Sequence, residues 1–448
     1  MSEGTKRIEG RAISRRKLLA GAAAAGAAMM PGVALAQSAL SDLLAAPTRG
    51  NWDDQFDTRG SNGGSAKVSS NQPVFSPNTV TSMQQAMSQY QQIVGAGGWP
   101  AVPEVGKLQL GVQNAAVSTL RQRLMVSGDL SQSAGLSPAF DSYVDAATKR
   151  FQTRHGLPDD GVISTYTYKA LNVPADIRLG QLQTNIVRLQ SMSGFLGDRF
   201  VMVNVPAAAI EAVENGRVVQ RHTAVVGKID RQTPILNSKI TNLNLNPYWH
   251  APESIVRKDI IPLMQKDPTY LAKNDIKIFA PDGTEIPPES IDWNTDEAAR
   301  YLFRQEPGKN NAMSSVKINF PNTHATYMHD TPQQSLFSKL MRFESSGCVR
   351  VQNVRDLVVW LARDEAGWDR QSIERVIATR KRQDIDLKNP VPVYFTYISA
   401  WATDPSVVQF RDDIYHRDGA EQLAMNDLQA VAYSPNEQVL TQAADQAY

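Results

Sequence analysis

Cysteine is nearly missing from this chain: 448 residues hold one, Cys348. A single thiol excludes an intramolecular disulfide, and in an oxidising compartment an unpaired Cys is kept for its reactivity or not at all. Net charge is nearly missing too. The 46 Lys and Arg against 45 Asp and Glu give +1, and setting aside the six basic and two acidic residues of 1–36 leaves −3. So neutral a chain has no electrostatic footprint for nucleic acid. Beyond residue 36 no apolar run approaches the roughly 20 residues that a spanning helix needs. Metal ligands do not cluster either: His155, in His155-Gly156-Leu157-Pro158, has no partner at ligand spacing, and no metal is assigned to it. No Ser-x-x-Lys near Cys348 comes with the other motifs of serine acyl enzymes, which removes the reason to prefer a serine mechanism.

What is present falls into about three domains by length. Ser14-Arg15-Arg16-Lys17-Leu18-Leu19 leads into an Ala- and Gly-rich run to Met30, then Pro31 and Ala34-Leu35-Ala36 before Gln37. This order reads as a twin-arginine export signal over 1–36, with a periplasmic location and no membrane attachment after cleavage. Residues 37–103 are rich in Ser, Asn, Gln, Gly and Ala and read as a flexible spacer, with a short helix near Met83 to Val94. Short helices and turns follow over 104–174, then a linker helix over 175–195 with Leu179, Leu182, Ile186 and Leu189 on one face. Between 196 and 418 come short β-rich runs, at 200–205, 218–226, 240–245, 316–320, 325–329 and 391–398. Alternation such as Val316, Ile318, Phe320 predicts a sheet with one wet face, and the whole predicts an α+β chain with a mainly antiparallel β-sandwich. Residues 255–313 break the strand pattern and read as an insertion, and disorder is expected over 419–448.

The chemistry concentrates in Tyr327 to Arg350. His329 lies 19 positions before Cys348, and a thiol with a histidine elsewhere in the chain is the minimal sign of an activated nucleophile. The competing reading is a small buried hydrophobe. Gly347 allows a tight turn that aims amides at a carbonyl oxygen. A helix is predicted directly after, capped by Asn353, with Val354, Leu357, Val358 and Leu361 as its buried stripe. Cys348 would then precede a helix N-terminus, which favours thiolate. Strand parity puts Tyr327 on the face of His329 and His324 on the other, so His324 is excluded. Asp330 points away by the same parity, leaving a backbone carbonyl or Ser346 to orient the imidazole.

Ser345-Ser346-Gly347-Cys348-Val349-Arg350, with His329-Asp330-Thr331-Pro332, resembles the signature of the L,D-transpeptidases with a YkuD-like catalytic domain. More narrowly it resembles their large periplasmic subgroup, supported by Asn246-Pro247-Tyr248-Trp249-His250-Ala251-Pro252, Gln232-Thr233-Pro234 and Phe410-Arg411-Asp412-Asp413-Ile414-Tyr415. Phe151, Gln152, Gly156, Leu157, Asp160 and Gly161 match the core of a three-helix peptidoglycan-binding module. Shorter members carry Ser-His-Gly-Cys. Ser346 stands in place of that histidine.

The resemblance implies a YkuD-like catalytic domain whose substrates and partners are peptidoglycan stem peptides, with no metal or other cofactor and a monomeric enzyme. In that reaction class a thiolate attacks the bond between the third and fourth stem residues, expels D-alanine and leaves a thioester that a second stem's amine resolves as a 3-3 cross-link. Cys348 would be the nucleophile, His329 the base, and the amides of Gly347 and Cys348 the oxyanion hole. Tyr327, Arg350, Ser346 and Trp249 would contact substrate, and 255–313 would cap the cleft. Two rivals stand beside it: a carboxypeptidase or cross-link hydrolase on the same scaffold, and a wall-binding protein without activity.

Overall fold

The computed structural model describes residues 72–192, 194, 196–404, 407–420 and 423. The export segment, the spacer up to residue 71 and nearly all of the tail lie outside them. Residues 72–103 are not the flexible spacer that composition suggested. Helix α1 (Pro77–Gly95) starts on Ser76, whose amide meets the Thr79 hydroxyl at 2.9 Å, and carries Pro at its first position. Met83, Ala86 and Tyr90 form a buried stripe at i, i+3 and i+7. Their partners lie far along the sequence, which is why composition could not show them.

The small module consists of α2 (Ala115–Val126), α3 (Ser142–Arg154) and α4 (Thr165–Asn172) around Val117, Leu120, Val144, Phe151, Ile163 and Leu171. Asn114 and Asp141 cap the first two, accepting from Ala116 and from Tyr143 and Val144. Gln152 closes the loop after α3 by donating to Asp160 at 2.8 Å and accepting from the Gly161 amide at 2.8 Å. Gly161 has φ +75°, so the Asp-Gly pair is a turn whose conformation favours glycine. Helix α5 (Ala175–Ser191) follows as the linker helix.

The strands are β1 (Arg199–Asn204), β2 (Ala209–Glu214), β3 (Arg217–Gly227), β4 (Leu236–Leu245), β5 (Trp249–Ala251), β6 (Ile276–Phe279), β7 (Glu285–Ile286), β8 (Leu302–Gln305), β9 (Val316–Asn319), β10 (Met328–His329), β11 (Phe343–Ser345), β12 (Val349–Val351), β13 (Gln383–Thr396), β14 (Ala400–Asp404) and β15 (Val407–Phe410). The largest sheet runs β11-β3-β12-β10-β9-β4-β13-β1-β2, and β2 also pairs with β3. That last pairing closes the sheet into a barrel and replaces the expected sandwich. Alternation reports that one face is buried; it does not say whether the cover is a second sheet or the same sheet curled round. The pairs β1·β13 and β10·β12 are parallel, and the other ladders of the ring are antiparallel.

Val201, Val203, Ile210, Val226, Leu243, Ile318, Met328, Val349, Val393 and Phe395 fill the barrel, and α6 (Val354–Leu361) packs on it through Val354, Leu357, Val358 and Leu361. The outer face of β1, with Phe200 and Met202, is covered by Met83 and Tyr90 of α1, Leu182 and Leu189 of α5, and the β14–β15 hairpin. Opposite in sequence position, the insertion is no break in the β pattern: β5-β8-β6-β7 form a second sheet. It has its own core of Trp249, Ile255, Ile260, Leu271, Ile278 and Phe303. A helical run over 253–266 crosses it and widens to π geometry at Val256–Ile260, next to Pro262, which lacks an N–H.

Candidate active site

β10 is short, and it brings His329 into register with Arg350 of β12 on one side and Lys317 of β9 on the other. Lys317 in turn faces Asn244 of β4, and Asn244 faces Asp384 of β13. Because Met328, Ile318 and Val349 fill the barrel, their neighbours His329 and Lys317 project outward, toward the insertion. Cys348 immediately precedes β12 and is half-buried. The Val349 amide donates to the Tyr327 carbonyl at 3.1 Å, and the Cys348 sulfur is hydrogen-bonded by both the amide and the hydroxyl of Tyr327. The Tyr327 hydroxyl also meets Trp249, and its ring stands edge-on to His329 at 5.5 Å between centroids.

His329 Nδ1 lies 2.5 Å from the main-chain oxygen of Asp330. A carbonyl only accepts, so Nδ1 carries the proton and Nε2 is left as the base. The Asp330 side chain accepts instead from the Ser315 amide and hydroxyl and from the Thr331 amide. Burial and the nearby Arg350 charge hold the His329 imidazole down to about 3. Burial pushes the Cys348 thiol up, against the hydrogen bonds of Tyr327 and the charges of Lys317 and Arg350. This reverses the thiolate expected from a helix N-terminus, for a structural reason. β12 separates Cys348 from α6, and Asn353 enters that helix at φ 52° without a side-chain cap.

The turn before the nucleophile is held from below. Gly347 has φ +110°; its amide donates to Ser345 Oγ at 3.2 Å, and its carbonyl accepts from Thr233 Oγ1 at 3.0 Å. The Gly347 amide is therefore engaged within the turn and not held free for an oxyanion. Thr233 Oγ1 also accepts from the Gly227 amide at 2.8 Å, and a Cβ at Gly227 would lie 2.2 Å from the Arg231 carbonyl. Close approach of the 228–233 loop thus explains that glycine. Tyr415 completes the support, donating to Gly227 O and accepting from the Thr233 amide at 3.2 Å.

Ser346 accepts from Arg231 Nη1 at 2.9 Å, and the same guanidinium grips Asp259 of the insertion at 2.7 and 2.9 Å. Arg350 is 2% exposed and donates to Gln333 Oε1. It stands across the ladder from His329 but is too buried to offer the expected substrate contact, and its charge acts on His329 and Cys348. Trp249, also 2% exposed, lies in the insertion's core against Tyr327 and does not wall an open cleft. His324 is exposed. Lys317, Arg231 and Asp259 went unnoticed in the sequence; the parity of β9 would have put Lys317 on the face of His329, but nothing local marks the other two. His155 is stacked between Phe151 and Phe410, at 3.8 and 5.5 Å.

Residues 198–393 match the family described as "L,D-transpeptidase catalytic domain", and residues 113–171 match a "Putative peptidoglycan binding domain". The "Putative L,D-transpeptidase" of Haemophilus influenzae is 34% identical over 245 residues, covering 54% of this chain and 49% of that protein. The chain thus spans about half the length of this curated relative. Among solved structures, an L,D-transpeptidase from Mycobacterium smegmatis is 12% identical, covering 44% of this chain and 58% of that one, at a TM-score of 0.23. One from Xylanimonas cellulosilytica is 15% identical, covering 66% of this chain and 99% of that one, at 0.22. Cys348, His329 and the glycine turn all lie inside the segment that matches the L,D-transpeptidase catalytic domain, and the segment that matches the peptidoglycan-binding domain precedes it.

Proposed function

We propose that this protein is a periplasmic L,D-transpeptidase that links peptidoglycan stem peptides 3-3 through a thioester on Cys348. The observation that carries the reading is the contact of His329 Nδ1 with the Asp330 carbonyl. The Nδ1–H is committed to the Asp330 carbonyl, so Nε2 can accept the thiol proton as the sulfur attacks. The step balances without a cofactor. The thiol proton passes to Nε2, sulfur bonds to the stem carbonyl carbon, and the oxyanion forms against the Cys348 amide. The imidazolium then protonates the departing D-alanine amine, and the thioester retains the acyl group. An amine of a second stem attacks next, gives its proton to Nε2 and releases Cys348 as the thiol.

The test is mass spectrometry of purified disaccharide stem peptides incubated with the protein. A 3-3 dimer with loss of D-alanine supports the reading, a trimmed monomer alone makes it a carboxypeptidase, and unchanged stems sink both. Cys348→Ser should abolish all products, because a hydroxyl is a far weaker nucleophile at neutral pH. Product from that variant would sink the mechanism.

A further inference from the structure

Lys317 occupies the β9 position directly across the ladder from His329. Its flanking residues Val316 and Ile318 lie in the barrel core, so its side chain shares the outer face with His329 and with Asn244 on the next strand. The ammonium lies 4.4 Å from the centre of the Tyr327 ring, a distance at which the ring face attracts a cation. That ring is the one whose hydroxyl touches the Cys348 sulfur and whose edge meets His329. One aromatic side chain therefore holds a cation, a nucleophile and a base together.

The charge of Lys317 is not neutralised by a neighbour. Among the described residues no carboxylate forms an ion pair with it. Asp384 of β13 acts on it only at longer range and is itself held by Arg382 at 2.7 Å and Asn244 at 2.8 Å. The other charged or titratable groups around it are Arg382, next to β13, and His250 of β5, with Cys348, His329 and Tyr327 at the site itself. Arg350 is the second cation acting on Cys348 and His329; it stands across the ladder from His329 on β12 and is buried, donating to Gln333. Of the two cations that act on Cys348, Lys317 is the one set against the Tyr327 ring.

We propose that Lys317 is a positioning residue for the nucleophile, whose charge, steadied by the Tyr327 ring, favours the negative charge that develops on Cys348 and keeps His329 unprotonated until the thiol gives up its proton. Sulfur in a half-buried pocket is poorly solvated as an anion, so a nearby fixed cation replaces part of the lost hydration. The same field opposes an imidazolium, which keeps Nε2 free to act as the base. Burial lowers the proton affinity of the ammonium itself, and the Cys348 charge opposes that, so each stabilises the charged form of the other. The inference rests on Cys348 being the nucleophile of the proposed reaction but not on which amine or water accepts the acyl group.

Cys348 is the sole thiol of the chain, so the pH dependence of its alkylation by iodoacetamide reads its ionisation without a competing signal. In Lys317→Met the midpoint should rise by about one pH unit, the effect of losing one nearby opposite charge, and alkylation at neutral pH should slow about tenfold. Lys317→Arg should return the rate to within about threefold of the parent, since the cation and the ring contact survive. Lys317→Gln is the second variant in case the methionine perturbs folding. A midpoint that stays put in both Met and Gln variants overturns the proposal, as does cross-linking that falls while the midpoint is unmoved, which would make Lys317 a contact for a substrate carboxylate. Absence of cross-linked product in the parent would defeat the transpeptidase reading alone, because the alkylation profile still decides on Lys317.

Discussion

At Cys348 and His329 the surroundings push the two groups toward their neutral forms. The thiol is raised by burial, and the imidazole is held down to about 3 by burial and by Arg350. Between those limits the resting pair is thiol and neutral imidazole, and the proton moves only as the sulfur attacks. His329→Ala should therefore slow thioester formation by roughly 10²- to 10⁴-fold, the range for loss of a general base. Burst measurements with a stem donor would show this, and His324→Ala, on the exposed loop, should match the parent. The same shift has a consequence for stability. His329 in the unfolded chain takes a proton near its ordinary 6.5 but in the folded chain only near 3, so stability present above pH 6.5 is lost as pH falls toward 3. The melting temperature of His329→Gln should fall less steeply across that window. It will not become flat, because His155 is also buried and lowered and contributes in the same direction.

Among the elements, the insertion is linked through one side chain to the turn before Cys348. Arg231 sits on the β3–β4 loop, grips Asp259 in the π turn of the insertion with both ends of its fork, and donates to Ser346 two residues before Cys348. The Asp259 side chain is only 8% exposed, so the pair is screened little by solvent. Arg231→Ala leaves Asp259 without its guanidinium and loosens the insertion over the site. In the proposed reaction water would then compete better with an amine for the thioester, since exclusion of water is what a cover contributes. The ratio of trimmed monomer to 3-3 dimer in the stem-peptide assay should rise severalfold, with Cys348 still acylated; an unchanged ratio would mean that the acceptor is chosen elsewhere. The insertion was legible as a departure from the barrel's strands at 255–313. Its own sheet was not, because β5 to β8 hold two to four residues each, too few to display a period.

On the scale of the whole molecule, the small helical module is fastened to the β-rich part of the chain by buried contacts. Arg154 pairs with Asp129 through two hydrogen bonds of 2.7 and 2.6 Å and reaches the Val408 carbonyl at 3.3 Å, while Arg411 returns a hydrogen bond to the Arg154 carbonyl at 3.2 Å. Asp129→Ala strands the buried Arg154 charge and should destabilise the protein by about 3–5 kcal/mol. Thermal unfolding should show that loss, and Asp129→Asn, which keeps an acceptor, should lose less. By itself the sequence singled out Cys348 and His329 as the candidate pair, and it determined the module's Gln152 to Gly161 loop, the α6 stripe and the alternating strands, because each depends on residues near one another along the chain. The tertiary structure alone decided that the sheet closes through β2 and β3, that residues 72–103 pack, that Arg350 and Trp249 are buried, and that the thiol is raised. It alone also set Lys317 beside His329 and tied Arg231 to both Asp259 and Ser346. Strand order and burial arise from contacts between segments as far apart as β3 and β12, and no local period in the chain encodes which of those segments meet.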